Sequence, residues 1–387
     1  MARFLFVVPP FFGHVAPTVA VGEELLRRGH EVAWVGFLSH IRDRLLSGLP
    51  VICLDPPDIA AVRADMQSRF DSTVGMATFK FFIEEILVPL AQHMLPPLEQ
   101  TVEAFRPDVL VVDHQAYAGA VVARSQHIKW ATLATSSVSV VFPLAANLPK
   151  VNRWMTERLS GLMQEAAIDS REQFEFSPHL VLIFSTEALV GPHPPLPDTH
   201  HFVGPSIRKD DARVVFPWEK LQEGRRVLVS VGTVNFEVGA RFFRASLEAL
   251  ADQPFQVVLV ARDDMIDRPI PANFLVQSFI PQLAVLPRMD AVVCHAGHNT
   301  VAEALAFGLP LVLAPINTDQ PAVAHQVVQA GAGIQVKFRR IRPVDLRDAV
   351  LGVLNEPRFR EAAHRIQASF AQSVGAIGAA GLLEGLV

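Results

Sequence analysis

The stretch CHAGHNTVAEALAFGLPLVLAPINTDQ, residues 294–320, decides the fold. The apolar run Ala291 to Cys294 stops at a histidine and a glycine, and a helix-like stretch follows. Leu311 to Ala314 is a second apolar run, so the order is strand, polar turn, helix, strand. Thr300 followed three residues later by Glu303 has the spacing of a capping box. It predicts a helix over Thr300 to Phe307, with first-turn N–H groups pointing back over Ala296 to Asn299. A helix N-terminus carries roughly +0.5 charge and presents unsatisfied donors. Gly297 lets the backbone approach a ligand closely, and His295, Asn299 and Thr300 add side-chain donors. Such a turn suits a phosphate without a Walker-type lysine or a metal-carboxylate cluster. The plain alternative is an ordinary helix cap beside a solvated loop.

Outward from this turn the chain repeats the same order. Arg3 to Pro9 is a short apolar run, Val15 to Arg28 has helical spacing, and Glu31 to Gly36 is a strand again. Pro17 suits a first turn and Gly29 a helix end. Val109 to Asp113, Lys129 to Thr135 and His179 to Ser185 are further strands, with a helix over Ala116 to Gln126. After a polar, proline-bearing lapse, Arg226 to Val231, Phe255 to Ala261 and Phe274 to Gln277 are strands, with a helix over Gly239 to Leu250. Pro343 to Asn355 and Arg358 to Ser373 close the series as helices, and the last residues, GAIGAAGLLEGLV, are weakly specified. Fully apolar strands alternating with helices imply buried parallel sheets. The fold class expected is α/β, with two Rossmann-like doubly wound domains facing across a cleft. Open sheets of this type bind ligands beyond the carboxyl ends of their strands, so the loops just after strands matter most.

Composition narrows the function. Of 387 residues, half are hydrophobic, 19% are charged, and the net charge is −5. Without a basic tract, nucleic acid is an unsuitable partner. Cys53 and Cys294 both sit in apolar runs, which argues against a disulfide framework or a cysteine zinc site. The start, MARFLFVVPPFFGH, is too briefly apolar for a signal peptide, and no run reaches the roughly 18 residues of a spanning helix. The expectation is a cytoplasmic protein with no transmembrane segment, surface contact with a membrane and the oligomeric state staying open. The first turn, PPFFGH, lacks the G-x-G-x-x-G of a dinucleotide site, which disfavours a dehydrogenase.

His14 lies directly after the first strand, and Asp113 ends the strand VLVVD of the same sheet. By the strand-end rule both face the cleft. A carboxylate on one imidazole nitrogen fixes the tautomer and stabilises the imidazolium, which makes the other nitrogen a general base. His114 is adjacent, but neighbouring strand residues point to opposite faces, so the two are not expected to share a partner.

The segment Phe279 to Gln320 resembles the donor signature of family 1, nucleotide-sugar-dependent glycosyltransferases of the GT-B fold. FIPQ (279–282) stands where that family has aromatic-x-Pro-Gln, HAGHNT (295–300) where it has His-x-Gly-x-Asn-Ser/Thr, and DQ (319–320) closes the motif. FFGHVAP (11–17), VGPS (203–206) and VSVGT (229–233) extend the resemblance, which is greatest to bacterial enzymes acting on antibiotics and other natural products. The resemblance implies that His295, Asn299 and Thr300 hold a diphosphate, with Gly297 in the same turn. It implies that Glu303 bonds the ribose with Gln282 nearby, that Phe279 flanks the base, and that the backbone of Ile280 reads its edge. Asp319 and Gln320 would bond the sugar, and Gly232 and Thr233 would form a second loop near the phosphates. His298 either touches phosphate or only shapes the turn. Phe279 stands where plant relatives have tryptophan, which leaves UDP and dTDP both open. The family's base histidine and its aspartate fall on His14 and Asp113.

Two apolar stretches, 76–98 and 137–149, offer an acceptor pocket of Phe79, Phe82, Ile83, Ile86 and Phe142, or else simply a core-facing helix. Pro89, Pro96 and Pro97 are expected to break any long helix there. The domains expected are 1–205 for the acceptor, a linker at 206–224, 225–365 for the nucleotide sugar, and a 366–387 C-terminal helix or tail that packs back on the first. The function expected is inverting, metal-independent transfer of a hexose or deoxyhexose from a UDP- or dTDP-sugar to an apolar small molecule. The nucleotide sugar is a co-substrate, and no cofactor is implied. The alternatives are a non-catalytic donor-binding helper or a nucleotide-sugar epimerase of the same fold.

Overall fold

The computed structural model describes residues 1–56, 58–59, 69, 73, 75–141, 148–165, 175–207, 215–232, 239–266 and 269–387. They form two units. Unit 1 takes Met1–Thr186, His193–Arg208 and Ser373–Val387, and unit 2 takes Glu187–Pro192 and Lys209–Gln372.

Unit 1 is built on a seven-stranded sheet in the order β3-β2-β1-β4-β5-β6-β7. The strands are β1 Arg3–Val7, β2 Glu31–Gly36, β3 Val51–Cys53, β4 Val109–Asp113, β5 Trp130–Ala134, β6 Val181–Ile183 and β7 His200–Phe202. Every pairing is parallel. Side chains of a strand alternate between faces, and both faces are covered. Phe4, Phe6, Trp34 and Val111 join one core with Ala379, Ala380 and Leu383 of the terminal helix Gly375–Glu384. Leu5, Val7, Leu110 and Val112 join the other with Leu90, Met94 and Leu98. This is why β1 is apolar from Phe4 to Val7 and β4 from Val109 to Val112.

Unit 2 has a six-stranded parallel sheet in the order β10-β9-β8-β11-β12-β13. Its strands are β8 Arg226–Ser230, β9 Gln256–Val260, β10 Phe274–Gln277, β11 Ala291–Cys294, β12 Leu311–Leu313 and β13 Gly333–Gln335. Phe242 of the helix Ala240–Leu250 stacks on Phe338 at 4.9 Å within its core. In both units the strand order reverses beside the first strand: between β1 and β4, and between β8 and β11. The loops leaving those strands flank a switch-point crevice.

Four expectations need correction. The first helix is Phe12–Arg27 and not Val15 to Arg28. Phe11, extended, takes the cap position, and its carbonyl accepts from the N–H groups of His14 and Val15. His14 is therefore in the first helical turn, and Pro17 is inside the helix. Pro89, Pro96 and Pro97 do not break the helical run from Met76 to Phe105. A π-helical segment, Phe82–Leu87, precedes Pro89, which occupies the first turn of the helix Val88–Phe105 and needs no intrahelical N–H bond there. Pro96 and Pro97 are held in place because Leu90, Met94, Leu98 and Val102 bury one face, so packing overrides propensity. Thirdly, the tail is not weakly specified but helical from Gly375 to Glu384, where Glu384 bonds both Arg28 (2.5 Å) and His30 (2.7 Å).

The fourth concerns membranes. Among the described residues one stretch, Pro357–Glu384, is long and apolar enough to span by length and composition. It divides at Ser373 into the helices Pro357–Gln372 and Gly375–Glu384, and each buries its apolar face in the core of its own unit.

Candidate active site

In unit 1 the geometry centres on the Asp113 carboxylate at the end of β4. Nδ1 of His14 lies 3.0 Å from both of its oxygens. The N–H of Gln115 donates to Oδ1 at 2.8 Å, and the Thr135 hydroxyl donates to Oδ2 at 2.9 Å. Asp113 is 1% exposed. Burial alone would push its pKa up, but the His14 and His114 imidazoles, with the His14 and Gln115 hydrogen bonds, hold it below the usual value. The carboxylate is thus ionised and accepts only, so the proton in its contact with His14 sits on Nδ1; in the neutral ring the lone pair is then on Nε2.

His114 lies beside this carboxylate but beyond hydrogen-bond distance. Its Nδ1 is 3.7 Å from Asp113 Oδ1, and its ring centroid is 5.3 Å from that of His14. The strand ends at Asp113 and the chain turns at His114, so the two-residue period no longer applies. The ligand atoms of His14, Asp113 and His114 lie within 4.8 Å of one another, close enough to hold an ion. The same closeness is what a hydrogen-bonded dyad requires, and His14 Nδ1 already faces carboxylate and hydroxyl oxygens.

Phe11 lies beside His14, ring centroids 5.7 Å apart, and Phe82 of the π-helical segment is 5.7 Å from Phe11. Phe79 packs against Trp154 at 6.1 Å. Phe79, Phe82 and Ile86 are partly buried against the core, and Ile83 is wholly within it. Phe142 lies outside the described residues.

In unit 2 the chain leaves β11 through His295, Ala296 and Gly297. Ala296 adopts a left-handed conformation, φ 64°, and its N–H reaches the buried Cys294 sulfur. Gly297 follows extended and takes the cap position, so the helix is His298–Ala306. The capping box is therefore not formed: Thr300 is inside the first turn, and the cap makes no side-chain hydrogen bond. Glu303 instead accepts from Gln282 Nε2 at 2.5 Å.

The His295 ring lies between two glycines. A Cβ on Gly297 would come within 2.4 Å of its Nε2, and one on Gly232, φ 75°, within 2.7 Å of its Cε1. Only glycine fits either place. Nδ1 of His295 is buried without a hydrogen-bond partner. Burial pushes the pKa of this imidazole down to about 4, with Asp319 and a Ser230 backbone hydrogen bond pulling the other way. At neutral pH the ring is uncharged and donates through one nitrogen.

The remaining predicted residues differ in exposure and in their hydrogen-bond partners. Phe279 is exposed and Ile280 buried. His298 is buried, while Asn299 and Thr300 are half-buried. Thr318 donates to Asp319 at 3.2 Å. Gln320 is committed to its own loop: Oε1 accepts from the N–H groups of Ile316 (2.8 Å) and Asn317 (3.2 Å). Thr233 lies outside the described residues.

The sequence reading missed Thr135, although its place just after β5 is the signal that picked out Asp113 after β4. It also missed Phe11, because the helix was begun too late.

Comparison with known proteins shows the family. Residues 172–370 match the UDP-glucoronosyl and UDP-glucosyl transferase family. The chain is 31% identical, over the full length of both, to 4'-demethylrebeccamycin synthase of Lentzea aerocolonigenes. It is 29% identical to demethyllactenocin mycarosyltransferase of Streptomyces fradiae, covering all of this chain and 87% of that one. Among solved structures, the glycotransferase of kitacinnamycin superposes with a TM-score of 0.80 at 22% identity, covering 100% of this chain and 99% of that one. The calicheamicin glycosyltransferase gives 0.79 at 24%, covering 100% and 98%. With its two doubly wound sheets and a match over its whole length, this chain belongs to the UDP-glucoronosyl and UDP-glucosyl transferase family and is a glycosyltransferase.

Proposed function

We propose that the protein transfers a hexose or deoxyhexose from a UDP- or dTDP-sugar to an apolar small-molecule natural product, with inversion and without a metal. The observation that carries this reading is the contact of His14 Nδ1 with both Asp113 oxygens, which leaves the lone pair on Nε2. His14 Nε2 takes the proton of the acceptor hydroxyl as its oxygen bonds to the anomeric carbon. The bond from that carbon to the diphosphate breaks, and the nucleoside diphosphate leaves with the electron pair. The developing imidazolium is stabilised by Asp113. Charge on the leaving group is met by His295 and the N-terminus of the helix His298–Ala306. One displacement gives one inversion.

Residues 1–205 take the acceptor in this reading, with Phe79, Phe82 and Ile86 supplying apolar wall, and 225–365 take the donor. The diphosphate contacts are His295, Asn299 and Thr300. Glu303 with Gln282 serves the ribose, Phe279 and Ile280 the base, and Asp319 the sugar. The named relatives are a demethylrebeccamycin synthase and a demethyllactenocin mycarosyltransferase, which supports that acceptor class. A donor-binding helper has no use for the dyad, and an epimerase has no use for an apolar acceptor wall.

The test is incubation with UDP- and dTDP-sugars and a mixed set of phenol and macrolide acceptors, following nucleotide release and product mass. Glycosylated product with an inverted anomeric centre is expected. Retention of configuration, or nucleotide-sugar isomerisation without transfer, overturns the reading.

A further inference from the structure

We infer that Thr135 is a positioning residue for transfer: its hydroxyl locks Asp113 and, through it, the tautomer of His14. This rests on His14 acting as the base. Thr135 follows the last residue of β5, the strand paired to β4, and is 3% exposed. Its Oγ1 lies 2.9 Å from Asp113 Oδ2 and 2.9 Å from His14 Nδ1, closing a ring of three groups. A hydroxyl has one proton, and here it goes to Oδ2, the acceptor-only carboxylate. The oxygen it turns to His14 is then a lone-pair face. Both neighbours of Nδ1, carboxylate and hydroxyl, are acceptors, and both require the ring proton on Nδ1.

The hydroxyl also pins the carboxylate plane. Oδ1 is held by the Gln115 N–H and Oδ2 by Thr135, so the carboxylate cannot rotate away from the imidazole. Without the hydroxyl, Oδ2 keeps only its shared contact with His14 in a setting where an unsatisfied charged acceptor is costly. The carboxylate then turns, and the imidazole samples the tautomer whose Nε2 bears a proton and cannot accept one. Thr135 touches no substrate in this account, so its loss acts on turnover and not on affinity.

Thr135→Val keeps the shape and removes the hydroxyl. Expected is a fall in kcat of about tenfold to a hundredfold, as for loss of a hydrogen bond to a charged group, with KM for donor and acceptor within about twofold. Thr135→Ser restores kcat to within about threefold. Nitrogen NMR of histidine-labelled protein, followed upward in pH from about 8 until the His14 signals no longer move, reads the tautomer of the neutral ring directly. It should show His14 as Nδ1–H in the wild type and in Thr135→Ser, and as a mixture in Thr135→Val. Thr135→Ala serves in its place if the valine variant does not fold. A single Nδ1–H tautomer in the variant lacking the hydroxyl overturns the inference, whatever kcat does; so does unchanged kcat. Should His14→Ala retain turnover, the base assignment fails by itself, and the NMR reading still judges the Thr135 assignment.

Discussion

Gly22 lies directly beneath Trp34, and a Cβ there would stand 2.2 Å from Cζ2 of the indole. This contact seats the helix Phe12–Arg27 on the sheet, and so fixes where His14 emerges. The indole has no room to yield. It stacks on Phe6 at 5.1 Å, and its Nε1 donates to Thr18 Oγ1 at 2.8 Å.

Gly22→Ala therefore tests the packing. In an exposed helix the change would stabilise by up to about 1 kcal/mol. Overpacking a rigid core costs typically about 1–3 kcal/mol, more when the overlap is this deep. The sum is expected to be destabilising, measured as a lower urea midpoint at unchanged m-value. An equal or higher midpoint would show that the helix slides freely over β2.

Gly297→Ala tests the turn after β11. The added methyl meets His295 Nε2, so the ring must leave its place between Gly232 and Gly297. Affinity for UDP and dTDP, by calorimetry, is expected to fall about tenfold, the loss of one good hydrogen bond to a charged group. Thermal stability changes far less, since the site is at the mouth of the sheet. Unchanged affinity would remove the His295 ring from diphosphate binding.

The depressed pKa of His295 gives a pH signature with a definite sign. Unfolded, the ring titrates near the usual 6.5, and folded, at about 4. Between these values the unfolded chain holds a proton that the native chain does not, so stability falls as pH drops through the window. The loss is on the order of 3 kcal/mol at most. Bound nucleoside diphosphate reverses part of it, because an anion beside the ring favours the imidazolium. Urea titrations of the wild type and His295→Gln at several pH values check this. The wild type should show the steeper slope, since His200, also depressed by burial, contributes in both; a slope of the same size in both would assign it elsewhere.

The parallel sheets were legible because strands buried on both faces are apolar in unbroken runs, and Phe4–Val7 of β1, Val109–Val112 of β4, Val227–Val229 of β8 and Ala291–Cys294 of β11 stand out as such. The edge strands β3, β7 and β13 span three residues each and carry no period to detect. Helix starts were misplaced for a local reason. Phe11 and Gly297 cap through backbone conformation, without the side-chain signal that Thr300 falsely offered. The prolines near 89–97 misled because burial of Leu90 and Met94 outweighs a propensity penalty. His14 and Asp113 were found by the strand-end rule. Thr135 was not, since what it shares with Asp113 is a three-dimensional neighbourhood between paired strands.

The most direct measurement is turnover by His14→Ala with a nucleotide sugar and an alcohol acceptor, beside calorimetric binding of the nucleoside diphosphate. A general base contributes about 10²–10⁴-fold. The variant should lose transfer by that factor while binding the nucleotide as the wild type does. Transfer at near-normal rate with His14 removed would contradict the account.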